Sequence, residues 1–242
     1  MKFVKMHGCG NDYIYIDGRV NRVDGKPEFA RRMSDRHRGI GGDGVVFIEN
    51  SETAGCKMDM YNADGSRGMI CGNALRCVAA LTGAETVETL AGVRTVAAAG
   101  NGLYTVDMGP PAFLPNPLPQ YPLHIVDMGN PHAVMFVGDV ADAPVRTLGP
   151  EIERAYDGGI NVEFIKVTGR DSIDMRVWER GSGETLACGS GACAAAAVAH
   201  KLGLTGETAD VRLPGGVLRI RVGESVYMTG NAVKVFEGEL LC

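Results

Sequence analysis

Two short stretches of this chain each place a cysteine against a glycine at the mouth of a small-residue run. The first reads Asn62-Ala-Asp-Gly-Ser-Arg-Gly-Met-Ile-Cys71-Gly-Asn-Ala-Leu-Arg-Cys-Val-Ala-Ala80. The second reads Glu179-Arg-Gly-Ser-Gly-Glu-Thr-Leu-Ala-Cys188-Gly-Ser-Gly-Ala-Cys-Ala-Ala-Ala-Ala197. In both, a polar loop leads into Cys-Gly-[Asn/Ser] and a helix-forming segment follows. The thiolate is the reactive form of cysteine, and a helix N-terminus stabilises it. Burial of the thiol in apolar surroundings acts in the opposite direction. One such thiol in each half of the chain suggests a matched acid and base.

Other chemistries fit less well. Gly39-Ile-Gly-Gly-Asp-Gly44 has the spacing of a dinucleotide loop, but a helix precedes it and a strand follows, the reverse of what that loop needs. Gly189-Ser-Gly-Ala-Cys-Ala194 does open a helix, yet a long loop separates it from the preceding strand, so an anion-binding helix N-terminus is the safer reading. The chain has no C-x-x-C, the spacings Cys71/Cys77 and Cys188/Cys193 match no zinc pattern, and no metal is expected. No G-x-S-x-G elbow is present. Cys56, Cys77, Cys193 and Cys242 read as inert small side chains, while Cys9 stands in a glycine turn beside Asn11. Asparagines occupy turn-like contexts at Asn11, Asn62, Asn73, Asn130 and Asn161. Each could satisfy only its own turn, but Asn62 and Asn73 flank Cys71, and Asn130-Pro-His132 follows a strand. An amide both donates and accepts, which suits an amino-acid zwitterion.

The elements that must position these residues alternate between strand and helix. Lys2–Met6 and Asp12–Asp17 read as a hairpin around Gly8-Cys-Gly10. Pro27–Arg38 reads as a helix, with Pro27 in its first turn. Strands are expected at 45–49, 57–61, 86–90, 93–98 and 103–108, and a helix from Cys71 to Gly83. Pro110, Pro111, Pro115, Pro117, Pro119 and Pro122 crowd the stretch 109–122, oppose helix and central strand, and mark the link between two halves. The second half repeats the theme, with strands at 124–128, 132–137, 162–167 and 172–178, a helix at 147–155, a longer one from Cys188 to Gly203, and strands at 210–213, 217–222 and 232–237. Ala192–Ala199 is small and apolar all round, so that helix belongs at the centre of its half. The expected architecture is an internal duplication in which one whole domain recurs.

Bulk properties narrow the class. At 242 residues, 45% hydrophobic and 22% charged, the chain has the composition of a globular protein with room for two cores. Its net charge of −5 and the lack of a Lys/Arg stripe argue against nucleic acid; Arg31-Arg32 and Arg36-His37-Arg38 read as a solvated helix face. The N-terminus has no apolar signal core, no apolar run approaches a membrane span, and seven cysteines are an odd number for a disulfide framework. A reducing, cytoplasmic setting without membrane partners is expected.

Taken together, the motifs resemble the diaminopimelate epimerase family. The matching text is Lys5-Met-His-Gly-Cys-Gly-Asn-Asp12, Gly39–Gly44, Tyr61-Asn-Ala-Asp-Gly-Ser66, Cys71-Gly-Asn73, Met128-Gly-Asn-Pro-His132, Val177-Trp-Glu-Arg-Gly-Ser-Gly-Glu-Thr185, Ala187–Cys193, Leu213-Pro-Gly-Gly216 and Tyr227-Met-Thr-Gly230. The resemblance implies an α/β fold of two pseudo-symmetric halves, each a curled, mostly antiparallel sheet around a central helix, with the site in the cleft between them. It implies domains at 1–115 and 116–228, with 229–242 returning to the first. It implies a cofactor-independent epimerase of diaminopimelate biosynthesis, and so of lysine biosynthesis, that interconverts LL- and meso-2,6-diaminopimelate. By motif, Cys71 and Cys188 would be the acid/base pair, and His132 and Glu179 would tune them. Asn11, Asn62, Gly72, Asn73, Asn130, Asn161, Glu179, Arg180, Gly189 and Ser190 would bind the substrate. The partner is then a small amino acid, and a homodimer is left open. The chain departs from the family in being short around 109–122, in Ala74-Leu75, and in carrying Gly44 where some members have glutamine. A racemase of histidine or proline type on the same fold is the alternative, and a non-catalytic amino-acid-binding module is a further one.

Overall fold

A computed structural model describes residues 1–241; Cys242, expected to be inert, lies outside the described residues. The chain divides into two compact units. Unit 1 is Met1–Val106 with the stretch from Gly230 onward, and unit 2 is Asp107–Thr229.

Unit 1 contains β1 (Lys2–Gly8), β2 (Asn11–Asp17), α1 (Lys26–Ser34), β3 (Gly44–Glu49), β4 (Cys56–Asn62), α2 (Gly72–Thr82), β5 (Thr86–Thr89), β6 (Gly92–Gly100) and β7 (Leu103–Asp107). Unit 2 contains β8 (Ala112–Leu114), β9 (His124–Asp127), β10 (Pro131–Phe136), α3 (Val145–Ala155), β11 (Asn161–Gly169), β12 (Ser172–Glu179), β13 (Gly183–Thr185), α4 (Gly189–Lys201), β14 (Thr208–Leu213) and β15 (Gly216–Val222). β16 (Val226–Asn231) pairs with β15, and β17 (Val233–Glu239) lies in unit 1.

The duplication shows in the pairing. In unit 1, β1–β2 is antiparallel, β2–β3 parallel, β3–β4 antiparallel, β4–β5 parallel and β5–β6 antiparallel. Unit 2 repeats that order through β9–β10, β10–β11, β11–β12, β12–β14 and β14–β15. A further strand joins the leading one in each case, β17 against β1 and β8 against β9. Each sheet wraps a helix: α2 packs on β1, β2, β4, β5 and β6, and α4 on β9, β10, β11, β12, β14 and β15.

Local chemistry explains the boundaries. The β1–β2 turn puts Cys9 and Gly10 at φ 52° and 82°, the left-handed pair of a tight hairpin. Cys9 tolerates that conformation because its N–H donates to Asn231 Oδ1 at 3.0 Å. α2 stops where Gly83 enters the left-handed region at φ 72° and its N–H returns to the Ala79 carbonyl. α1 ends at Ser34, four residues before the expected Arg38. There Asp35 Oδ1 accepts the N–H groups of both His37 and Arg38 at 2.8 Å, a local turn that competes with another helical turn. β8 lies inside the proline-rich stretch read as a link; its three residues avoid every proline. β13 and β16 were also unexpected, β13 because it pairs only three residues with β12.

The cores follow the strand alternation. Phe3, Ile14, Ile16, Val45 and Phe47 meet Ala30 and Met33 of α1 in unit 1; Ile125, Ala133, Met135, Val162 and Phe164 meet Ile152 of α3 in unit 2. Full burial of a side chain such as Phe47 or Phe164 contributes about 1.5–3 kcal/mol. In α4, Gly189 and every residue from Gly191 to Ala199 are buried, as its composition requires. α3 comes close to β12 because Gly149 faces Trp178; a β-carbon there would lie 2.5 Å from Trp178 Cβ. The indole Nε1–H donates to Glu153 Oε2 at 2.7 Å. No helix of the described residues is long and apolar enough to cross a membrane.

Candidate active site

In unit 1 the structure gathers Asn11, Cys71, Gly72 and Asn73. Cys71 is the half-buried N-cap of α2, and Gly72 and Asn73 supply first-turn amides that a helix cannot satisfy internally. The Ala74 N–H points at Cys71 Sγ from 3.5 Å. The thiol donates to Asn11 Oδ1 at 3.2 Å, and Asn73 Nδ2 donates to the same oxygen at 3.3 Å. Asn62, at the end of β4, instead closes its own turn by donating to Ser66 Oγ at 2.9 Å.

Two residues that the sequence reading passed over complete this cluster. Arg76 has no exposed surface; its Nη2 donates to Asn73 Oδ1 at 2.7 Å and its Nε to the Asn231 carbonyl at 2.9 Å. Burial lowers its pKa, and the neighbouring Cys9, Cys77, Cys71 and Tyr15 oppose that shift. Asp43 accepts from Asn11 Nδ2 at 2.7 Å and from Arg36 Nη2 at 3.0 Å. A lone cation in an otherwise apolar helix was the available signal for Arg76.

Unit 2 builds a second cluster at the N-terminus of α4, with Cys188 as N-cap and Gly189 and Ser190 leading its first turn. Cys188 is 5% exposed, and its sulfur lies 3.7 Å from Ser190 Oγ. Glu179 accepts a hydrogen bond from Thr185 Oγ1, and its charge acts on the Cys188 thiol. Burial, then the charges of Glu179 and Glu163, push the thiol well above its ordinary range. Burial also pushes the Glu179 carboxyl up.

Behind Cys188 lies a fully buried pair. His132 Nδ1 meets Glu163 Oε1 at 2.7 Å, and its Nε2 meets Asn130 Oδ1 at 3.1 Å. Glu163 was missed from sequence, although it is the one charge in the buried run Asn161–Ile165. It fits because Gly191 lacks a side chain: a β-carbon there would stand 2.5 Å from Glu163 Oε1. Donor atoms of His132, Glu163 and Cys188 lie within 4.8 Å of one another, and these types can bind zinc. Here His132 is hydrogen-bonded to Glu163, and the Cys188 sulfur lies beside Ser190 Oγ.

Asn161 and Arg180 form a neighbouring group. The Arg180 N–H donates to Asn161 Oδ1 at 3.1 Å, and Asn161 Nδ2 donates to the Pro131 carbonyl at 3.0 Å. Arg180 lines an open depression of about 600 Å³ with Tyr156, Gly158 and Gly159. The two clusters therefore share one design. A cysteine caps the central helix of its unit, first-turn amides flank it, and amide or carboxylate side chains surround it.

Known proteins resemble this chain along its whole length. The family model described as diaminopimelate epimerase matches residues 3–114 and 124–235, one stretch for each copy of the fold. A diaminopimelate epimerase of Leptospira biflexa is 44% identical over 276 residues, covering 99% of both chains. One from Methanococcus maripaludis is 41% identical over 275 residues, again covering 99% of both. Among solved structures, a predicted epimerase from Pseudomonas aeruginosa superposes with a TM-score of 0.80 at 20% identity, covering 100% of this chain and 99% of its own. A probable proline racemase from Agrobacterium radiobacter gives 0.71 at 16% identity, covering 99% and 92%. The two structures share the fold; the relatives at above 40% identity decide the family. The chain belongs to the diaminopimelate epimerase family.

Proposed function

We propose that this epimerase inverts the α-carbon of 2,6-diaminopimelate by proton transfer between Cys71 and Cys188, without a cofactor. One residue acts as thiolate and removes the α-proton, and the other gives its thiol proton to the opposite face. One C–H bond breaks and one forms, the two sulfurs exchange protonation states, and nothing is oxidised. The reverse reaction swaps the roles. The first-turn amides of Gly72 and Asn73 and of Gly189 and Ser190 are suited to a carboxylate whose charge grows as the proton leaves. Asn11, Asn62, Asn130, Asn161, Glu179 and Arg180 supply donors and acceptors for the remaining polar groups of the substrate. His132 and Glu179 set the charge around Cys188. The protein works as a cytoplasmic enzyme, and a dimer is compatible with this reading.

The observation that carries the reading is that both cysteines cap the central helix of their unit with a further hydrogen-bonding side chain at the sulfur, Asn11 for Cys71 and Ser190 for Cys188. The test is incorporation of solvent deuterium at the α-carbon of diaminopimelate by the purified protein. General acid–base groups contribute about 10²–10⁴-fold, so Cys71→Ala and Cys188→Ala should each lower turnover by at least that much. Unchanged turnover in both variants, or no exchange by the wild type, would falsify the assignment. A histidine or proline racemase would instead show exchange with those amino acids and none with diaminopimelate.

A further inference from the structure

Four side chains of unit 1 form a directed chain of hydrogen bonds that meets Cys71 at Asn11, and the groups at its two ends determine its direction. At one end stands Arg76, which carries only donors. Asn73 must therefore turn its carbonyl oxygen to the guanidinium, 2.7 Å away, which leaves its NH₂ facing Asn11. At the other end stands Asp43, which as a carboxylate only accepts. Its Oδ2 takes Asn11 Nδ2 at 2.7 Å and the Asp12 N–H at 3.1 Å, while Oδ1 takes Arg36. Asn11 must therefore turn its NH₂ to Asp43 and its oxygen to Asn73 and Cys71. Exchanging oxygen and nitrogen in either amide would set donor against donor or acceptor against acceptor at a charged group, so the orientation follows from the neighbours.

We propose that Asp43 and Arg76 are positioning residues that lock the Asn11 carbonyl toward Cys71, and so hold that cysteine in the free enzyme as a hydrogen-bond-donating thiol. This gives Gly39-Ile-Gly-Gly-Asp-Gly44 a purpose other than nucleotide binding. Its glycine turn is tied back to α1 by the Gly39, Ile40, Gly41 and Gly42 N–H groups, and it delivers the Asp43 carboxylate to the start of β2. The proposal rests on Cys71 being one of the two proton-transfer groups.

The readout is the pH dependence of Cys71 alkylation by iodoacetamide in the free enzyme, resolved by peptide mass spectrometry. Charged and titratable groups around Cys71 are Arg76 and Cys77 on its own helix, Tyr15 on β2, and Asp43 beyond Asn11, with Cys9 of the hairpin turn against Arg76 and Cys77. Asp43→Ala removes the acceptor that holds the Asn11 NH₂, so the amide loses one of its two anchors and can turn its NH₂ to the sulfur, stabilising thiolate. Cys71 should then alkylate about three- to tenfold faster at neutral pH, the value of one neutral hydrogen bond. Asp12→Asn is the charge control. It removes a carboxylate from the same ion-pair cluster, where Asp12 binds Lys5 and Arg36, but no hydrogen bond to Asn11. It should leave the rate within twofold of wild type. Equal acceleration in both variants would reduce the effect to charge alone, and an unchanged or slower Asp43→Ala would remove the lock; either result overturns the proposal. Because the assay needs no substrate, it separates failure of this proposal from failure of the epimerase reading.

Discussion

His132 Nδ1 lies 2.7 Å from Glu163 Oε1, and neither side chain has any exposed surface. The pair sits between β10 and β11, which run parallel with His132 paired to Asn161. Such a pair is costly to break, because the surviving group keeps its burial and loses its partner. Glu163→Ala should destabilise the protein by about 1–3 kcal/mol. Glu163→Gln, which still offers an acceptor to the ring, should recover most of that. Trp178 is the only tryptophan and lies in the same unit, so urea unfolding followed by its fluorescence reads the effect directly.

Cys188 should resist alkylation at neutral pH. Burial and two nearby carboxylates disfavour its thiolate, so its reaction with iodoacetamide should rise only above the ordinary thiol value of 9.0. Glu179→Gln removes one of those charges and should move the rise to lower pH, while epimerisation falls because the carboxylate beside the sulfur is gone. A rise that stays in place in Glu179→Gln would show that the Glu179 charge does not control this thiol.

Cys77 gives a stability prediction at high pH. Burial raises its thiol from 9.0 to about 11. A group that holds its proton more tightly when folded contributes stability that is complete below the unfolded value and is lost as pH rises through the folded one. Between pH 9 and 11 this single site should therefore take away about 2–3 kcal/mol, at 1.36 kcal/mol per unit. Cys77→Ala should show a correspondingly shallower decline in chemical-denaturation midpoints followed by far-ultraviolet circular dichroism.

Gly149→Ala should destabilise, although alanine is the better helix former. Intrinsic propensity favours alanine by about 1 kcal/mol. The added β-carbon would lie 2.5 Å from Trp178 Cβ and 2.7 Å from its Cγ, and overpacking costs about 1–3 kcal/mol. The net loss should appear as a lower melting temperature together with a shifted Trp178 emission maximum.

How much was legible depended on the kind of signal. The helices after Cys71 and Cys188 could be placed because a cysteine-glycine start and a run of small residues are local features, and both helices begin one residue after their cysteine. The parallel pairs β2–β3 and β10–β11 could not, since partners distant in sequence leave no local mark. β8 was hidden because proline density masks a three-residue strand whose own residues are Ala112, Phe113 and Leu114. Within the clusters, residues inside recognisable motifs were found. Glu163 and Arg76 were not, because a buried charge acquires its meaning only from the partner that folding brings to it. Asp43 was seen as part of a glycine turn, and its hydrogen bond to Asn11 crosses from that turn to β2.

The uniform burial of α4 has a consequence for aim. Most helices take their rotation about their own axis from an apolar stripe that seeks the core. α4 has no such stripe, since Gly191–Ala199 are buried on all sides, so solvent exerts no torque on it. Its azimuth must come from shape alone, and the sharpest feature of shape is the missing side chain at Gly191, into which Glu163 projects. The direction in which Cys188 points is thus keyed, as a shaft is keyed to its hub, by the absence of one methyl group three residues along the helix.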